Sequence, residues 1–522
     1  MEKYPIALKV SDLDNVATIF ADGICSGATV QVHDRGGAGD LLAVRDDIPY
    51  GHKIALCNIA AGADIVKYGE RIGVASRPIA AGDYVHVHNL DSMRGRGDLE
   101  QGNEASVPTH ETRCAADSNA AGSMPDIIAA HAGPLPFFYG YPRPDGSFGA
   151  RNHVAVIPSV TCAGDVAQAI CRQVAGTVCY LHHQGCCQLP PDLERVTDTL
   201  IALGKSPNVG AVLIVSLGCE GTDHERMLAE LSETGKPVRK IEIQALGGTS
   251  AAIAQGIDDA RELVIEISAQ QREHVDISQV TMAIKCGASD TTSGMASNCV
   301  IGRVADRLVD LGATVIFGET TEFIGGEDLL AQRAVTPAVA RRIYEIVDAM
   351  ETRAKSVGCD MRRGQPTPGN IAGGLSSIEE KSLGAIVKSG TRPIQGVLDY
   401  PETAFGRKGL WIKDTPGREP EILTGMAATG AQFMCFSTGR GAPQGFPSMP
   451  VIKVCGNPHT FQRMQGDMDI DAGRIIEGTA SIDEVADEAF ERIIRVLSGE
   501  LTKNEAICYT SSIDIHCLGP VI

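Results

Sequence analysis

Residues 209–220 read VGAVLIVSLGCE, and this stretch decides the fold class. Its apolar run has no alternation with polar residues, which is typical of a strand that is covered on both faces. Amphipathic helical patterns lie between this run and similar runs, among them DLERVTDTLIAL (192–203) and SNCVIGRVADRLVDLG (297–312). Buried strands that alternate with helices predict an α/β fold built on a parallel sheet.

The same alternation extends over the whole second part of the chain, from about residue 137. The strand candidates are HVAVIPSV, TVCYLHH, VGAVLIVSLG, VRKIEIQ, VTMAIKC, ATVIFGE, IQGVLDY, QFMCFST and VIKVCG. The last helical pattern, from Ser481, begins with a capping box that is completed by Glu484. In such sheets ligands bind beyond the carboxyl ends of the strands, so catalytic residues are expected there.

The N-terminal region has a different pattern. Residues 1–92 contain short β-type runs broken by Gly, Asp and Pro, and they predict a small all-β domain. Residues 93–136 are rich in Gly, Ser, Asn, Asp and Glu and have few large apolar residues, so we expect a flexible linker.

The charge balance argues against several classes of binding partner. The 522 residues carry 46 basic and 65 acidic side chains, a net charge of −19, which disfavours nucleic acid and anionic membranes as partners. The N-terminus has no signal-peptide pattern, and the 16 cysteines lack the dense spacing of a disulfide scaffold. We therefore expect a cytoplasmic protein with reduced thiols.

Three cysteines follow strand candidates in small-residue contexts: Cys186, Cys219 and Cys286. Thiolates are soft ligands for iron or zinc, and three of them can hold an iron–sulfur cluster with one open iron. If the three strand ends meet in one crevice, these thiols form a metal site. The alternative is three unrelated core thiols.

Other strand ends carry polar groups that a core does not require. Glu319 follows the strand candidate ATVIFGE, and Thr438 and Arg440 follow QFMCFST. An Arg flanked by glycines can offer two parallel hydrogen bonds to a carboxylate. Neither GxGxxG nor GxxxxGK[ST] occurs in the required context, so NAD and ATP are not indicated.

The β-type region adds histidines. His52 and Lys53 lead directly into a strand candidate, and His86 and His88 alternate in DYVHVHNL. Alternation on a strand places both rings on one face, where they could bind a metal or an anion. Solvated surface histidines are the alternative.

Several motifs along the chain resemble those of a known family. GHKIAL and DYVHVHN resemble the SAF, or β-clip, domain, and the rest of the chain resembles the altronate/galactarate dehydratase family. The motifs that carry this resemblance lie in order along the chain: His182-x-x-Gly185-Cys186-x-Gln188, Leu217-Gly218-Cys219-Glu220, Cys286-Gly287-x-Ser289-Asp290, Pro368-Gly369-Asn370, Lys381-Ser382-Leu383-Gly384, Phe436-Ser437-Thr438-Gly439-Arg440-Gly441 and Asp469-x-Asp471-Ala472-Gly473.

The resemblance implies an iron-dependent dehydratase of sugar acids that forms a 2-keto-3-deoxy acid, with altronate-type hexonates or hexarates as substrates. It implies a homodimer, with residues 137–275 as a first α/β part that makes the dimer contact and 276–522 as a Rossmann-like catalytic part. The iron is Fe²⁺ or an iron–sulfur cluster, and another divalent metal such as Mn²⁺ is possible. Related chains split sulfolactate and release sulfite, so a sulfo-lyase is an alternative, and a non-catalytic carbohydrate-binding protein is another.

A division of roles follows from the resemblance and from general chemistry. Removing the proton α to a carboxylate requires a base and a group that stabilises the enediolate. His52, Lys53 and Glu319 are the candidate acid/base residues. Iron is expected on Cys186, Cys219 and Cys286. A small anionic sugar acid is expected to contact His86, His88, Ser289, Asp290, Asn370, Lys381, Thr438 and Arg440.

Overall fold

The structure is a computed structural model that describes residues 4–34, 37–94, 135–359, 361, 364–520 and 522. The predicted linker, residues 93–136, lies outside the described residues over 95–134. The described parts form an N-terminal β domain followed by two parallel α/β sheets, so the predicted α/β class is confirmed.

The N-terminal β domain, residues 4–94, contains nine short strands in two sheets, as the run of turn residues predicts. One sheet has six strands in the order β4-β3-β1-β2-β5-β8, and the other has three in the order β6-β7-β9. The strands are β1 Ile6–Leu8, β2 Val16–Ile19, β3 Thr29–Asp34, β4 Gly37–Ala43, β5 Lys53–Ala55, β6 Asp64–Lys67, β7 Glu70–Ala75, β8 Tyr84–Val85 and β9 Leu90–Asp91.

One prediction in this domain is wrong. DYVHVHNL does not form a continuous strand, because β8 ends at Val85 and a turn follows. The Asn89 side chain stabilises that turn: its Oδ1 accepts a hydrogen bond from the His86 backbone N–H at 2.9 Å. His86 is therefore buried while His88 is exposed, and the two rings do not share one strand face.

The middle region contains the first parallel sheet, in the order β13-β12-β14-β15, with a small antiparallel sheet β11-β10-β16 beside it. Every residue of β14 is buried, as its unbroken apolar run predicts. The elements are β10 Phe137–Pro142, β11 Phe148–Gly149, β12 His153–Pro158, α1 Gly164–Gln173, β13 Thr177–Cys179, α2 Pro190–Lys205, β14 Val209–Ser216, α3 His224–Ser232, β15 Val238–Glu242, α4 Thr249–Ser268 and β16 Glu273–Asp276.

The C-terminal region contains a seven-stranded parallel sheet and most of the helices. Its elements are β17 Thr281–Cys286, α5 Asn298–Asp310, β18 Thr314–Phe317, α6 Glu327–Ala331, α7 Pro337–Ser356, α8 Pro368–Ala372, α9 Ile378–Ile386, β19 Ile394–Leu398, β20 Gly409–Lys413, α10 Glu419–Ala428, β21 Phe433–Thr438, β22 Val451–Cys455, α11 Pro458–Arg463, β23 Ile470–Asp471, α12 Gly473–Ile476, α13 Ile482–Leu497 and α14 Lys503–Ala506.

The order of the seven strands locates the site. It is β19-β20-β18-β17-β21-β22-β23, and every neighbouring pair is parallel. The next three strands after β17 in the chain lie on one side of it and the last three lie on the other, so the strand order reverses between β17 and β21. A crevice for a ligand forms beyond the carboxyl ends of the strands at such a reversal.

The N-terminal β domain packs directly on this region. Its Ile72 and Leu90 belong to the same buried apolar cluster as Ile378 and Leu383 of α9. Helix α9 therefore joins the small domain to the carboxyl edge of the seven-stranded sheet. Among the described residues, no helix combines the length and the apolar character that crossing a membrane requires.

Candidate active site

A small cavity lies beyond the carboxyl end of β17, where the C-terminal region meets the N-terminal β domain. We call it the β17 cavity. Its walls come from the loop after β17, from α5, from α9 and from the β6–β7 turn. The residues that line it are Tyr68, Cys286, Ser289, Asp290, Ser293, Gly294, Asn298, Leu375, Lys381, Gly384 and Ala385.

Cys286, the last residue of β17, forms the floor of the cavity. Its thiol sulfur lies 2.8 Å from the Ser289 hydroxyl oxygen, and the Asn298 amide lies at the longer distance of 3.9 Å. Burial raises the pKa of the Cys286 thiol to about 11, so the thiol is protonated at neutral pH in this environment. Cys286, a predicted metal ligand, and Ser289, a predicted substrate contact, therefore lie side by side in the structure.

Asp290 carries the carboxylate of the cavity. One oxygen accepts hydrogen bonds from Thr292 and from the Ser293 backbone, and the other accepts one from the Asn457 amide at 2.9 Å. Burial raises the pKa of Asp290 above its usual value, although these hydrogen bonds act in the opposite direction. A fully buried carboxylate with a raised pKa is a stronger base than an exposed one.

Close backbone contacts around Asp290 leave no space for larger residues. A Cβ at Gly439 would lie 1.9 Å from the Asp290 carboxylate, and one at Gly373 would lie 2.6 Å from the Asp290 Cβ. These two glycines, from the loop after β21 and the loop after α8, therefore allow both loops to reach the cavity.

Asn370, Thr438 and Arg440 lie around the cavity rather than among its lining residues. Asn370 donates a hydrogen bond to the Ser289 carbonyl at 2.7 Å and so fixes the cavity loop. The Thr438 hydroxyl accepts a hydrogen bond from the Gly441 backbone at 3.0 Å and shapes the turn after β21. Arg440 is exposed, and its Nε lies 3.7 Å from the position of a Cβ at Gly369.

Lys381 brings a positive charge to the cavity from α9. Its ammonium nitrogen lies 2.5 Å from the Gln365 amide oxygen and 3.6 Å from the Glu322 carboxylate. The structure thus places Lys381 beside Asp290 and Cys286 in one cavity lining, as the prediction of a shared substrate site requires.

Glu319, a predicted acid/base residue, lies beneath the cavity. Its carboxylate accepts a hydrogen bond from the Cys286 backbone N–H at 2.7 Å and pairs with Lys285 at 3.2 Å and with Lys388. Its backbone is left-handed, with φ at 72°, which is unusual for a residue with a side chain. This geometry holds Glu319 against the backbone of Cys286, and Glu319 is not among the lining residues of the cavity.

A buried group of charges surrounds Glu319. Lys388 bridges Glu319 and Glu322 through its ammonium, and all three side chains are almost fully buried. Although burial alone would raise it, the positive charge of Lys388 holds the pKa of Glu322 down to about 2. Paired buried charges of this kind fix the position of the floor of the cavity, because removing either partner leaves a charge unpaired.

Lys53 does not enter the cavity. It crosses from β5 to α9, where its ammonium lies 2.8 Å from the Glu380 carboxylate and 2.8 Å from the Gly374 carbonyl oxygen. Lys67 binds the other oxygen of Glu380 at 2.8 Å. Burial lowers the pKa of Lys53 to about 8. The two lysines and Glu380 form a buried ionic contact between the two domains.

The histidines form a ring cluster beside the loop after α8. His52 lies 2.6 Å from the Tyr84 hydroxyl through Nδ1 and 3.3 Å from the Ala372 carbonyl through Nε2. Its ring centroid lies 4.7 Å from that of His86, which approaches the Ser376 hydroxyl at 3.3 Å. Burial lowers the pKa of His52, and it lowers that of His86 to about 3. None of these rings is among the lining residues of the β17 cavity.

The three predicted metal ligands do not come together. Cys286 is buried at the end of the seven-stranded sheet, whereas Cys186 and Cys219 are exposed in loops that follow the separate four-stranded sheet. Those two loops touch each other through a hydrogen bond from the Gly221 backbone to the Gly185 carbonyl at 2.9 Å. In the described part of the chain, no group of three or more His, Cys, Asp or Glu side chains is arranged to hold a metal.

This finding corrects the expectation of one three-thiol crevice. The strand ends belong to two different sheets, and of the three thiols Cys286 alone is among the lining residues of the β17 cavity. The donor set present does not fit the three-thiolate site that was expected for iron.

The sequence interpretation missed two polar lining residues that bring side chains from distant segments, Tyr68 and Asn298. Tyr68 lies in the two-residue turn between β6 and β7. Asn or Gly is usual in such a turn, so an aromatic residue at this position was the available signal in the sequence. Asn298 is the first residue of α5. Its amide donates to the Gly384 carbonyl at 2.8 Å, a contact between distant segments that periodicity does not reveal.

Comparison with known families assigns all three parts of the chain. Residues 5–93 match the SAF domain of altronate/galactarate dehydratase, and residues 140–268 match the second domain of D-galactarate dehydratase/altronate hydrolase. Residues 277–517 match the C-terminal domain of D-galactarate/altronate dehydratase.

Individual relatives are similar over most of the chain. Altronate dehydratase of Bacillus subtilis is 31% identical over 95% of this chain and 96% of its own length. The beta subunit of (2R)-sulfolactate sulfo-lyase from Chromohalobacter salexigens is 39% identical over 71% of this chain and 95% of its own length. The alpha subunit of that enzyme is 41% identical over 83 residues, which are 16% of this chain and 87% of that subunit.

The matched relatives are named as dehydratases or as a sulfo-lyase, and both kinds of enzyme are lyases. The chain belongs to the altronate/galactarate dehydratase family, with an N-terminal SAF domain.

Proposed function

We propose that the protein is a hydro-lyase that dehydrates a sugar acid, an altronate-type hexonate or a hexarate, to a 2-keto-3-deoxy acid. The observation that carries the proposal is the β17 cavity, where Asp290 and Lys381 share one lining at the point where the strand order reverses. A base beside an ammonium is the arrangement that abstraction of a proton α to a carboxylate requires.

Each charged group has a role in this proposal. The Asp290 carboxylate takes the proton from C2, because burial has raised its pKa and Thr292 and Asn457 hold it in position. The Lys381 ammonium stabilises the enediolate that forms on the substrate carboxylate. Arg440, exposed beside the loop after α8, attracts and holds the rest of the anionic substrate.

The proposal extends to the architecture. The strand order of the C-terminal sheet supports a Rossmann-like variant over residues 276–522, with the small domain at 1–92 and a first α/β part at 137–275. We also propose a cytoplasmic homodimer whose contact comes from residues 137–275. Light scattering on the purified full chain gives the mass that tests the dimer.

Iron dependence is a separate part of the proposal, and it rests on the family resemblance. No residue of the described chain is assigned to iron, and the roles of Asp290 and Lys381 do not depend on it.

A sulfo-lyase that releases sulfite by the same elimination is the second candidate function. The 39% identity to the sulfolactate sulfo-lyase beta subunit favours it. The leaving group alone separates the two reactions, since both begin with abstraction of an α-proton.

A substrate panel tests the proposal. Full-length protein, reduced and supplied with Fe²⁺ or Mn²⁺, is incubated with hexonates, hexarates and sulfolactate. A 2-keto acid trapped as its semicarbazone supports the dehydratase, and sulfite released from sulfolactate supports the second candidate. Binding of a sugar acid without any product would instead identify a non-catalytic carbohydrate-binding protein and overturn the proposal.

A further inference from the structure

The turn between β6 and β7 contains a residue in an unfavourable conformation. Tyr68 and Gly69 connect the two strands, and both are left-handed, with φ at 64° and 83°. Gly adopts such a conformation freely, and Asn tolerates it, but a bulky aromatic residue does so at a cost on the order of 1 kcal/mol. Strain of this kind is concentrated at functional sites, so the position of the Tyr68 side chain requires an explanation.

The strained turn directs the Tyr68 side chain out of its own domain and into the β17 cavity. Its hydroxyl lies over two glycines: a Cβ at Gly294 would be 3.0 Å from the hydroxyl oxygen, and a Cβ at Gly384 would be 3.5 Å away. Two residues without side chains therefore form the slot that receives the phenol.

Two polar atoms in the cavity lining leave hydrogen-bonding capacity unused. The Asn298 side-chain carbonyl oxygen and the Tyr68 hydroxyl are buried, and neither makes a hydrogen bond of good geometry within the described residues, although the Lys67 ammonium interacts with the Tyr68 hydroxyl. Buried polar groups are normally satisfied, and an unsatisfied one costs about 1–3 kcal/mol. A small ligand that accepts a hydrogen bond from Tyr68 and donates one to Asn298 satisfies both.

The size of the cavity limits what that ligand can be. Its volume is about 10 Å³, which is room for about one water molecule. A hydroxyl group that leaves as water fits this volume and both hydrogen-bonding requirements, while the carbon chain of the sugar acid lies outside it.

We propose that the β17 cavity is the subsite for the leaving hydroxyl and that Tyr68 of the N-terminal β domain is the acid that protonates it. This inference rests on the proposed dehydratase function and adds a catalytic residue to it. The active site is then shared between two domains, because the acid comes from the SAF domain and the base from the C-terminal region.

In the proposed step, Asp290 takes the C2 proton, and the electron pair of that C–H bond forms the C2=C3 double bond. The C3–O bond breaks with its electron pair on oxygen, and the Tyr68 proton converts that oxygen to water. The enol that results tautomerises to the 2-keto acid, and the C2 proton, carried by Asp290, returns through solvent to the phenolate.

The surroundings of Tyr68 suit both of its protonation states. Burial raises its pKa, so the phenol is protonated before the reaction, while the neighbouring Lys67 ammonium acts in the opposite direction. That ammonium lies 4.8 Å from the centre of the Tyr68 ring and is held by Glu380 at 2.8 Å. A positive charge at this distance stabilises the phenolate that forms when the proton leaves.

The test is Tyr68→Phe in the full chain, with Tyr139→Phe as the matched control, since Tyr139 is exposed on β10. General acid catalysis is worth about 10²–10⁴-fold, so we expect kcat to fall by that factor while KM stays within about threefold. Tyr139→Phe is expected to match the wild type in both constants.

A second substrate distinguishes acid catalysis from a structural role. A 3-deoxy-3-fluoro sugar acid loses fluoride, which is a weak base and leaves without a proton. The Tyr68→Phe variant is expected to process this analogue within about tenfold of the wild-type rate. Equal losses with hydroxyl and fluoride as leaving groups would overturn the assignment, as would an unchanged kcat with the natural leaving group.

Gly294→Ala gives an independent test, because its Cβ would lie 3.0 Å from the Tyr68 hydroxyl oxygen and 3.0 Å from the Gly384 Cα. We expect kcat to fall in a variant that urea unfolding shows to be folded, and an unchanged kcat contradicts the subsite. If the wild type turns over a sugar acid and both variants do too, only this inference fails. If the wild type turns over no sugar acid at all, the proposed function fails and this inference with it.

Discussion

The ammonium of Lys53 in the N-terminal β domain lies 2.8 Å from the carboxylate of Glu380 in α9, and both side chains are completely buried. Lys67 completes the contact from the neighbouring sheet at 2.8 Å. A carboxylate between two ammoniums satisfies all three charges only while the two domains stay together. The stability of each domain therefore depends on its contact with the other domain.

Replacing this carboxylate tests this dependence. Glu380→Gln leaves two buried ammoniums without a counter-charge, and breaking a buried pair in this way costs about 3–5 kcal/mol. We expect the free energy of unfolding in urea to fall by that amount. Glu70→Gln, an exposed carboxylate on β7 of the same domain, is the matched control and should stay within about 0.5 kcal/mol. Similar values for the two variants would contradict this dependence.

The same carboxylate predicts sensitivity to acid. Burial alone would raise its pKa, but Lys53 and Lys67 hold the folded-state value at about 2, below its ordinary value of 4.5. A carboxyl group whose pKa is lower in the folded state than in the unfolded state stabilises the fold at pH values above its unfolded-state pKa. That stabilisation is lost as the pH falls through the folded-state pKa. The wild type should lose stability more steeply than Glu380→Gln between about pH 4.5 and 2, measured by urea unfolding. Parallel curves for the two proteins would disprove this.

His86 gives a second pH dependence in a different window. Burial lowers its pKa to about 3, and the charge of Lys53 and the neighbouring rings of His52 and His88 add to the effect. The unfolded chain therefore binds a proton between about pH 6.5 and 3 that the folded chain does not bind. Stability should fall as pH decreases through that window, by up to about 1.4 kcal/mol per pH unit for one proton.

Substitution isolates this contribution. His86→Gln should flatten the curve of unfolding free energy against pH between 6.5 and 3, relative to the wild type. His33→Gln, in β3 of the same domain, is the control and should keep the wild-type slope. A slope that His86→Gln leaves unchanged would show that His86 is protonated in the folded protein.

The glycine beside Asp290 gives a steric prediction. A Cβ at Gly439 would lie 1.9 Å from the Asp290 carboxylate, so Gly439→Ala must displace either the carboxylate or the loop after β21. We expect kcat on a sugar acid to fall at least a hundredfold. At Gly466 a Cβ would meet nothing within 4 Å, so Gly466→Ala is the matched control and should keep wild-type activity. Wild-type kcat in Gly439→Ala would exclude Asp290 as the base.

The separation of the thiols predicts how iron responds to substitution. Cys286 ends a strand of one sheet, while Cys186 and Cys219 follow strands of another and lie in touching loops. After anaerobic reconstitution with Fe²⁺, Cys286→Ser should retain the iron content of the wild type, measured by mass spectrometry. Cys186→Ser and Cys219→Ser should resemble each other in iron content. Equal loss of iron in all three variants would restore the single three-thiol site.

Local patterns predicted much of the fold. The apolar run of β14 and the capping box at Ser481 depend on residues close in sequence, and both are present in the structure. The membership of each strand in a sheet depends instead on pairing between distant segments. For that reason Cys186 and Cys286 belong to different sheets, although both follow strand candidates in the sequence.

The prediction of the site was limited in the same way, by contacts between distant segments. Cys286, Ser289, Asp290 and Lys381 were predicted from their motifs, and the structure brings them to one cavity. Tyr68 could not be assigned to that cavity, because its role depends on a turn conformation and on a contact between two domains. Lys53 was expected in catalysis, but its partner Glu380 is more than 300 residues away, and periodicity carries no information at that separation.

The contact of Lys53 and Lys67 with Glu380 also has a consequence for how the protein is built. In the sulfolactate sulfo-lyase relative, two separate subunits, alpha and beta, are each similar to a part of this chain, so two polypeptides must associate. Here residues 95–134 join the two parts covalently, and their pairing does not weaken on dilution. Proteolytic cleavage between residues 94 and 135 would convert a unimolecular arrangement into an equilibrium that depends on protein concentration.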